Sequence, residues 1–241
     1  MKNILQLYRD NAQREKRPVN VVKNESVSAI YIYDVIDSYW GVSAKDVIAA
    51  LANVGADEEV HFHINSPGGD VFEGRAIMAA IRAHNGKTIA FIDSLAASAA
   101  TSIAIACDEV VISQGAFFMI HNASGMVWGD KTDMREVADL LEKIEGSIIA
   151  DYTGKTGKDD KQVIEWMDAE TWFSADEAVA NGFCDRIAET NKAKNTWNLS
   201  AFSKAPKALL EPPEQEPEIE PATAGFFSSV KNANRLKLVM I

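Results

Sequence analysis

Strand-like and helix-like segments alternate along the first half of the chain, and this alternation limits the possible folds more than any other feature. Apolar runs rich in β-formers predict strands at 29–33, 60–64, 88–92, 110–112 and 117–120. Between them, helical signals cover 43–55, 71–84 and 98–107, the first opened by a Ser43–Asp46 capping box. Strands separated by helices pair in parallel, so we expect an α/β fold with a largely parallel sheet flanked by helices.

A longer amphipathic helix is predicted from Asp130, its N-cap, to Tyr152. Apolar residues recur there at steps of three and four: Met134, Val137, Leu141, Ile144 and Ile148. A helix of this length exceeds what one small core covers. Either a partner subunit or the helix's own domain therefore covers its apolar stripe.

The charge balance excludes some classes of partner. Lys and Arg number 24 against 35 Asp and Glu, a formal net charge of −11. Nucleic-acid binding needs clustered basic groups, so we expect no nucleic-acid partner. No segment approaches the ~20 apolar residues of a membrane span, so we expect no membrane partner and a cytoplasmic location. Cys107 and Cys184 fall within apolar patterns and are predicted to be buried free thiols.

Composition divides the chain into three parts. Residues 1–25 are polar, and we expect an N-terminal arm there, as a leader or a mobile extension. Residues 26–190 hold the alternating elements. Residues 191–241 contain a Pro- and Glu-rich linker and an apolar C-terminal tail. The tail is either a docking peptide or a fragment that packs on the body.

Ser98 is the candidate nucleophile, because it lies among alanines at a predicted strand-to-helix turn. A serine hydroxyl attacks a carbonyl only when a base takes its proton. The following helix start, and Gly68 and Gly69 after an earlier strand, could supply N–H groups to an oxyanion. A packing serine and a plain turn are the alternatives for these residues.

His121 is the candidate base, since it ends a predicted strand downstream of Ser98. The other histidines, His61, His63 and His84, fit surface or capping roles. A triad also needs an acid that orients the histidine, and the candidates are Asp168 and Glu170. Each residue alone is ordinary, but together they predict a serine hydrolase.

Four motifs occur in order: Ile64–Gly69, Leu95–Ala99, Met119–Asn122 and Trp172–Ala178. Over about residues 27–188 the chain thereby resembles the ClpP family of self-compartmentalised serine peptidases. The sequence motifs Ser-Pro-Gly-Gly-Asp-Val-Phe, Trp-Gly and Glu-Thr-Trp-Phe are similar to those of ClpP-like head maturation proteases of phages and prophages. Residues 26–190 would then form the ClpP-like serine peptidase domain.

The resemblance implies roles for particular residues. Its nucleophile motif falls on Ser98 and its base motif on His121. Its acid falls on Glu170, where ClpP proper has aspartate, so Asp168 remains the alternative acid. The oxyanion hole would consist of the N–H groups of Gly69 and Ala99.

The resemblance also implies a ClpP/crotonase-like βαβ spiral with a long handle helix at 130–152, and homo-oligomeric rings, often heptameric. We expect an endopeptidase that processes phage capsid or scaffold proteins in the cytoplasm of a bacterial host, without cofactor or metal. One alternative is a general ClpP-type degradation subunit working with an ATPase. The others are a crotonase-fold acyl-CoA enzyme and a non-catalytic assembly subunit.

Overall fold

The computed structural model describes residues 4–11, 19–23, 27–192 and 197–210. Its strands are β1 (Asn20–Lys23), β2 (Val27–Ile32), β3 (Glu59–Ser66), β4 (Thr88–Ala97), β5 (Glu109–Gln114), β6 (Phe117–Ile120), β7 (Thr171–Ser174) and β8 (Arg186–Lys192). Its helices are α1 (Ile4–Asn11), α2 (Ala44–Leu51), α3 (Val71–Arg82), α4 (Ala99–Ile105), α5 (Lys131–Thr156), α6 (Asp160–Asp168), α7 (Ala175–Ala180) and α8 (Lys207–Leu210). None of these helices is long and apolar enough to cross a membrane.

The eight strands form one mixed, largely parallel sheet, as the alternation predicts. The main order is β1-β2-β3-β4-β5-β8, with β6 beside β4 and β7 beside β6. Only the β1–β2 and β6–β7 pairs are antiparallel. The first half of β4, Ile89–Ile92, pairs with β5, and its last residues, Leu95–Ala97, pair with β6. Strand β4 is therefore longer than predicted, because a second neighbour takes up its hydrogen bonds beyond Ile92.

The core lies between the sheet and its helices. Strand residues such as Ile30, Phe62 and Ile112 are fully buried there, as are Ile77 of α3 and Ile103 of α4. The two free cysteines of the chain are also buried, as predicted.

Aromatic side chains close the core beneath α5 and α6. Phe183 lies at the centre, with ring centroids 4.9 Å from Phe118, 5.0 Å from Phe173, and 5.7 Å from both Tyr152 and Trp166. Stacked, tilted and edge-on ring pairs of this kind stabilise a core beyond the area they bury.

Two helices begin as the sequence predicts. Ser43 accepts a hydrogen bond from the backbone of Asp46 and completes a capping box. Asp130 caps α5 by accepting from the N–H groups of Thr132 and Asp133. Helix α5 spans 26 residues, about seven turns, somewhat longer than predicted.

The apolar stripe of α5 is only partly covered. Within this helix only Ile148 and Tyr152 are buried, near its C-terminal end. Val137, Leu141 and Ile144 are intermediate in exposure. Met134 of the stripe and the neighbouring Leu140 are more exposed, at 52% and 49%. Its own domain therefore covers one part of the stripe and leaves another uncovered.

Described parts of the predicted N-terminal arm and of the C-terminal region contact the body of the chain. Strand β1 pairs with β2 over Asn20–Lys23, because Val21 and its neighbours can extend the edge of the sheet. Leu7 of α1 is buried. Residues 197–210, which precede the linker, pack on the body, with Leu199 fully buried. The Pro- and Glu-rich linker and the apolar tail after residue 210 lie outside the described residues.

We expect Phe183→Ala to lower the free energy of unfolding by about 3–5 kcal/mol, since it removes the ring at the centre of the aromatic cluster and leaves a cavity. Urea denaturation followed by circular dichroism measures this change. Phe72→Ala is the matched control, because the Phe72 ring is 63% exposed, and it should change stability by less than about 1 kcal/mol. Equal effects from both variants would contradict the assigned core.

Candidate active site

Ser98 lies in the turn between β4 and α4, as predicted, in an unusual backbone conformation. Its φ of 54° and ψ of −125° are rare for a residue with a side chain, and such strain is found mainly at functional sites. The Ser98 N–H donates to the carbonyl oxygen of Met119 in β6 at 2.9 Å, and its own carbonyl accepts from the N–H of Thr101 at 2.9 Å. These bonds fix the turn.

Helix α5 supports the same turn through a buried hydroxyl pair. The Thr101 hydroxyl lies 2.6 Å from the Tyr152 hydroxyl and also donates to the Ser98 carbonyl oxygen. Burial raises the pKa of Tyr152 to about 12, so this group stays protonated and keeps its hydrogen bonds. Helix α5 and the Ser98 turn are thus linked through the Thr101 hydroxyl.

The glycine turn after β3 packs on the Ser98 turn without room for a side chain. A Cβ on Gly68 would lie 2.8 Å from the Ser98 Cβ and 3.0 Å from the Ala99 backbone nitrogen. Gly69 has a φ of 149°, and Ile36 holds the turn through hydrogen bonds to Gly68 and Asp70. Glycine is needed here for both conformation and space. The turn brings Gly69 and Ala99 to the wall of the same cavity as Ser98.

His121 follows β6 and contacts Ser98. Its Nε2 lies 2.8 Å from the Ser98 Oγ, which is within hydrogen-bond distance for proton transfer. Among the described residues, the buried Nδ1 atom has no hydrogen-bond partner. Burial lowers the pKa of His121, and the nearby negative charge of Glu170 opposes that effect. Burial therefore favours the neutral imidazole, which is the form that a base requires.

Glu170 is buried beside the site but is bound to another part of the chain. It has a φ of 48°, and its carboxylate accepts from the Lys204 N–H at 2.7 Å and from the Ser203 hydroxyl at 2.7 Å. The Ser203 N–H at 3.2 Å and the Trp172 indole at 3.4 Å complete the set. Burial alone would raise the pKa of Glu170, but these hydrogen bonds together outweigh it and lower that pKa.

Asp168, the alternative acid, is exposed and accepts a hydrogen bond from the side-chain amide of Asn122 at 2.7 Å. Within the described part of the chain, neither Asp168 nor Glu170 is hydrogen-bonded to His121. The structure therefore brings the predicted nucleophile and base into contact. Each candidate acid is instead hydrogen-bonded to other residues.

The other three histidines have partners elsewhere. His61 lies 2.7 Å from the Glu59 carboxylate, and His63 lies 2.8 Å from that of Asp93. The His84 ring contacts a backbone carbonyl oxygen. His121 is thus the histidine that serves Ser98.

A cavity of about 500 Å³ opens beside Ser98 and His121, within the size range of ligand sites. One wall is the half-buried stripe of α5, including Val137, Leu141 and Ile144. This part of the stripe therefore faces the chain's own site.

Leu7 of α1 and Phe202 also line the cavity. The Phe202 ring centroid lies 5.8 Å from that of His121, at an interplanar angle of 78°. Sequence reasoning missed Leu7 and Phe202, because each is close to the site only through long-range packing.

Comparison with known proteins identifies the family of the chain. The family model described as Clp protease matches residues 13–191, which is most of the chain. The chain belongs to the Clp protease family. This is a family of serine peptidases, so the chain is an enzyme of the serine peptidase class.

Two relatives illustrate the likeness of this Clp protease to others. An ATP-dependent Clp protease proteolytic subunit of Streptococcus suis (strain 98HAH33) is 32% identical over 161 residues, covering 63% of this chain and 81% of the relative. The subunit of the same name in Streptococcus pyogenes serotype M5 (strain Manfredo) is 30% identical over 158 residues, with the same coverage.

A solved structure supports the fold. A mutant of ClpP1 from Listeria monocytogenes superposes with a TM-score of 0.60 at 23% identity, covering 67% of this chain and 91% of that one. The family match ends at residue 191, so the Glu170 partners Ser203 and Lys204 of this Clp protease lie beyond it.

The lowered pKa of His121 predicts how reactivity at Ser98 depends on pH. Only neutral imidazole can accept the serine proton, so the rate falls as pH drops through the pKa of His121. We expect the acid limb of fluorophosphonate labelling to have its midpoint below the ordinary value of about 6.5. Labelling rates measured across pH 4–8 test this, and a midpoint above about 6.5 would contradict it. His121→Gln is the control: it removes the base and should abolish labelling at every pH in this range.

Proposed function

We propose that the protein is a serine endopeptidase in which Ser98 is the nucleophile, His121 the base and Glu170 the acid. The single observation that carries this is the 2.8 Å contact between Ser98 Oγ and His121 Nε2 at a strained strand-to-helix turn. A strained turn that presents a serine to a neutral histidine is the arrangement that nucleophilic acyl transfer requires.

The residues divide the reaction between them. Ser98 Oγ attacks the substrate carbonyl carbon while His121 Nε2 takes the hydroxyl proton. The N–H groups of Gly69 and Ala99 stabilise the resulting oxyanion. His121 then returns the proton to the leaving amine and the C–N bond breaks, which leaves an acyl-enzyme on Ser98. Water, deprotonated by His121, hydrolyses this ester and restores the serine.

Glu170 is favoured over Asp168 as the acid because of its location. It is buried, and its charge is the one that acts on the pKa of His121. Asp168 is exposed and already accepts from Asn122, the residue after the base. A buried carboxylate near the imidazole stabilises the imidazolium formed during the reaction more strongly than a solvated one.

The substrate we propose is a phage capsid or scaffold protein, processed in a bacterial host cell. The support is the wording of the Ser66–Phe72 and Glu170–Phe173 motifs, which is similar to that of phage head maturation proteases. The broader candidate is a degradation subunit that works with an ATPase, and it is favoured by relatives named ATP-dependent Clp protease proteolytic subunit.

We also propose that this chain assembles into homo-oligomeric rings. The support is the apolar surface left on α5, where Met134 and Leu140 are about half exposed. Exposed apolar side chains on a helix surface favour burial against another subunit.

A crotonase-fold acyl-CoA enzyme and a non-catalytic assembly subunit remain as alternatives. Both are disfavoured by the contact between Ser98 and His121, which neither activity uses. Binding of acyl-CoA would favour the first alternative. Ring assembly without any labelling of the wild-type protein by a serine-directed probe would favour the second.

Ser98→Ala should abolish both peptide cleavage and fluorophosphonate labelling, because it removes the attacking oxygen while leaving the fold intact. Mass spectrometry of the labelled peptide checks the site directly. Ser102→Ala is the matched control, since Ser102 lines the same cavity, and it should retain labelling. Labelling that persists in Ser98→Ala at another serine would refute the assignment.

Glu170→Gln should lower kcat, by up to about 10³–10⁴-fold where the carboxylate reaches His121 during turnover, because an amide cannot stabilise the imidazolium. Asp168→Asn keeps the shape of the other candidate and should change kcat by less than about tenfold. Steady-state cleavage of a fluorogenic peptide compares the two variants. Loss of activity in Asp168→Asn alone would assign the acid to Asp168 instead.

A further inference from the structure

We propose that Ser203 and Lys204 are positioning residues that hold Glu170 off His121, so that residues 197–210 form an inhibitory strap over the active site. Displacement of this C-terminal strap would release the acid and complete the triad. The inference rests on the proposed peptidase function, in which Glu170 is the acid.

The strap occupies the acceptor positions of the Glu170 carboxylate. Oε1 accepts from the Lys204 N–H and the Trp172 indole, and Oε2 accepts from the N–H and the hydroxyl of Ser203. An ionised carboxylate has about four lone-pair sites. Four donors fill them, three of which belong to the strap, so little acceptor capacity remains for His121.

Among the residues that the structure describes, His121 lacks the hydrogen bond that a triad acid would make to it. Its Nδ1 atom is buried and without a hydrogen-bond partner in the described structure, although this is the atom that a triad acid binds. Buried polar atoms are nearly always paired, so an unpaired one calls for a physical reason. The reason here is that the nearby carboxylate is bound by the strap instead.

The strap is anchored beside the catalytic residues. The Trp197 indole donates to the Asn65 side chain at 3.0 Å, and Leu199 is fully buried in a small apolar cluster. Phe202 packs against His121 on one side and against Trp172 at 5.6 Å on the other. The strap therefore covers the catalytic base as well as binding the acid.

Helix α1 holds the strap through a pair of hydrogen bonds that involves none of the catalytic groups. The Asn11 side-chain amide donates to the Asn198 carbonyl oxygen at 3.0 Å, and its oxygen accepts from the Asn198 N–H at 2.9 Å. This reciprocal pair fixes the strap backbone as a strand partner would. It offers a way to loosen the strap without touching Ser98, His121 or Glu170.

The test compares fluorophosphonate labelling rates at Ser98 in full-length variants. Ser203→Ala removes one donor to a charged acceptor, and Asn11→Ala removes the reciprocal pair. Each should accelerate labelling, by about tenfold for Ser203→Ala. Ser203→Thr keeps a hydroxyl and should return the rate towards wild type. Lys207→Ala, on an exposed strap residue, should leave the rate unchanged.

A second readout separates release of Glu170 from general loosening of the site. In Ser203→Ala the acid limb of the pH profile should move to higher pH, because a freed carboxylate beside the imidazole favours its protonated form. Adding Glu170→Gln to Ser203→Ala should remove both the rate gain and this shift. A gain that survives Glu170→Gln would overturn the proposed role of Ser203.

The outcomes distinguish this inference from the function on which it rests. If Ser203→Ala and Asn11→Ala are labelled at Ser98 no faster than wild type, the strap does not inhibit, and the peptidase assignment stands. If Ser98 is labelled neither in wild type nor in any variant, the peptidase function fails and the inference fails with it.

Discussion

The parallel pairing of β4 with β6 is the constraint on which the site depends. Ala97 pairs with Met119, and the Ser98 N–H continues the ladder to the Met119 carbonyl oxygen. This register brings the ends of the two strands side by side, one carrying the serine and the next the histidine. Because side chains alternate along a strand, a slip of one residue would turn His121 towards the opposite face. Backbone hydrogen bonds thus determine the Oγ–Nε2 distance.

Three parts of the chain then fit around this pair. The glycine turn approaches the Ser98 backbone closely, which only residues without Cβ permit. Tyr152 links α5 to the same turn through Thr101. The strap adds Phe202 against the base and holds Glu170. The nucleophile and base are therefore preorganised, whereas the acid depends on a segment beyond the family match.

Local patterns predicted much of the fold and part of the site. Capping at Ser43 and Asp130 is encoded within four residues, and the strand end before His121 follows from the short apolar run 117–120. What the sequence could not predict depends on distant partners. β4 continues beyond Ile92 because β6 pairs with it, and the partners of Glu170 follow it by 33 and 34 residues. No local pattern at 197–210 indicates that these residues reach the acid.

The strap is part of the chain that it covers, and only four residues separate it from β8. Two sites joined by a short linker meet at an effective concentration in the millimolar range. Contacts that would be weak between separate molecules, such as the Ser203 hydrogen bonds and the Phe202 ring, can therefore keep the site covered. This coverage does not change when the protein is diluted, so a substrate competes with a fixed local concentration of strap.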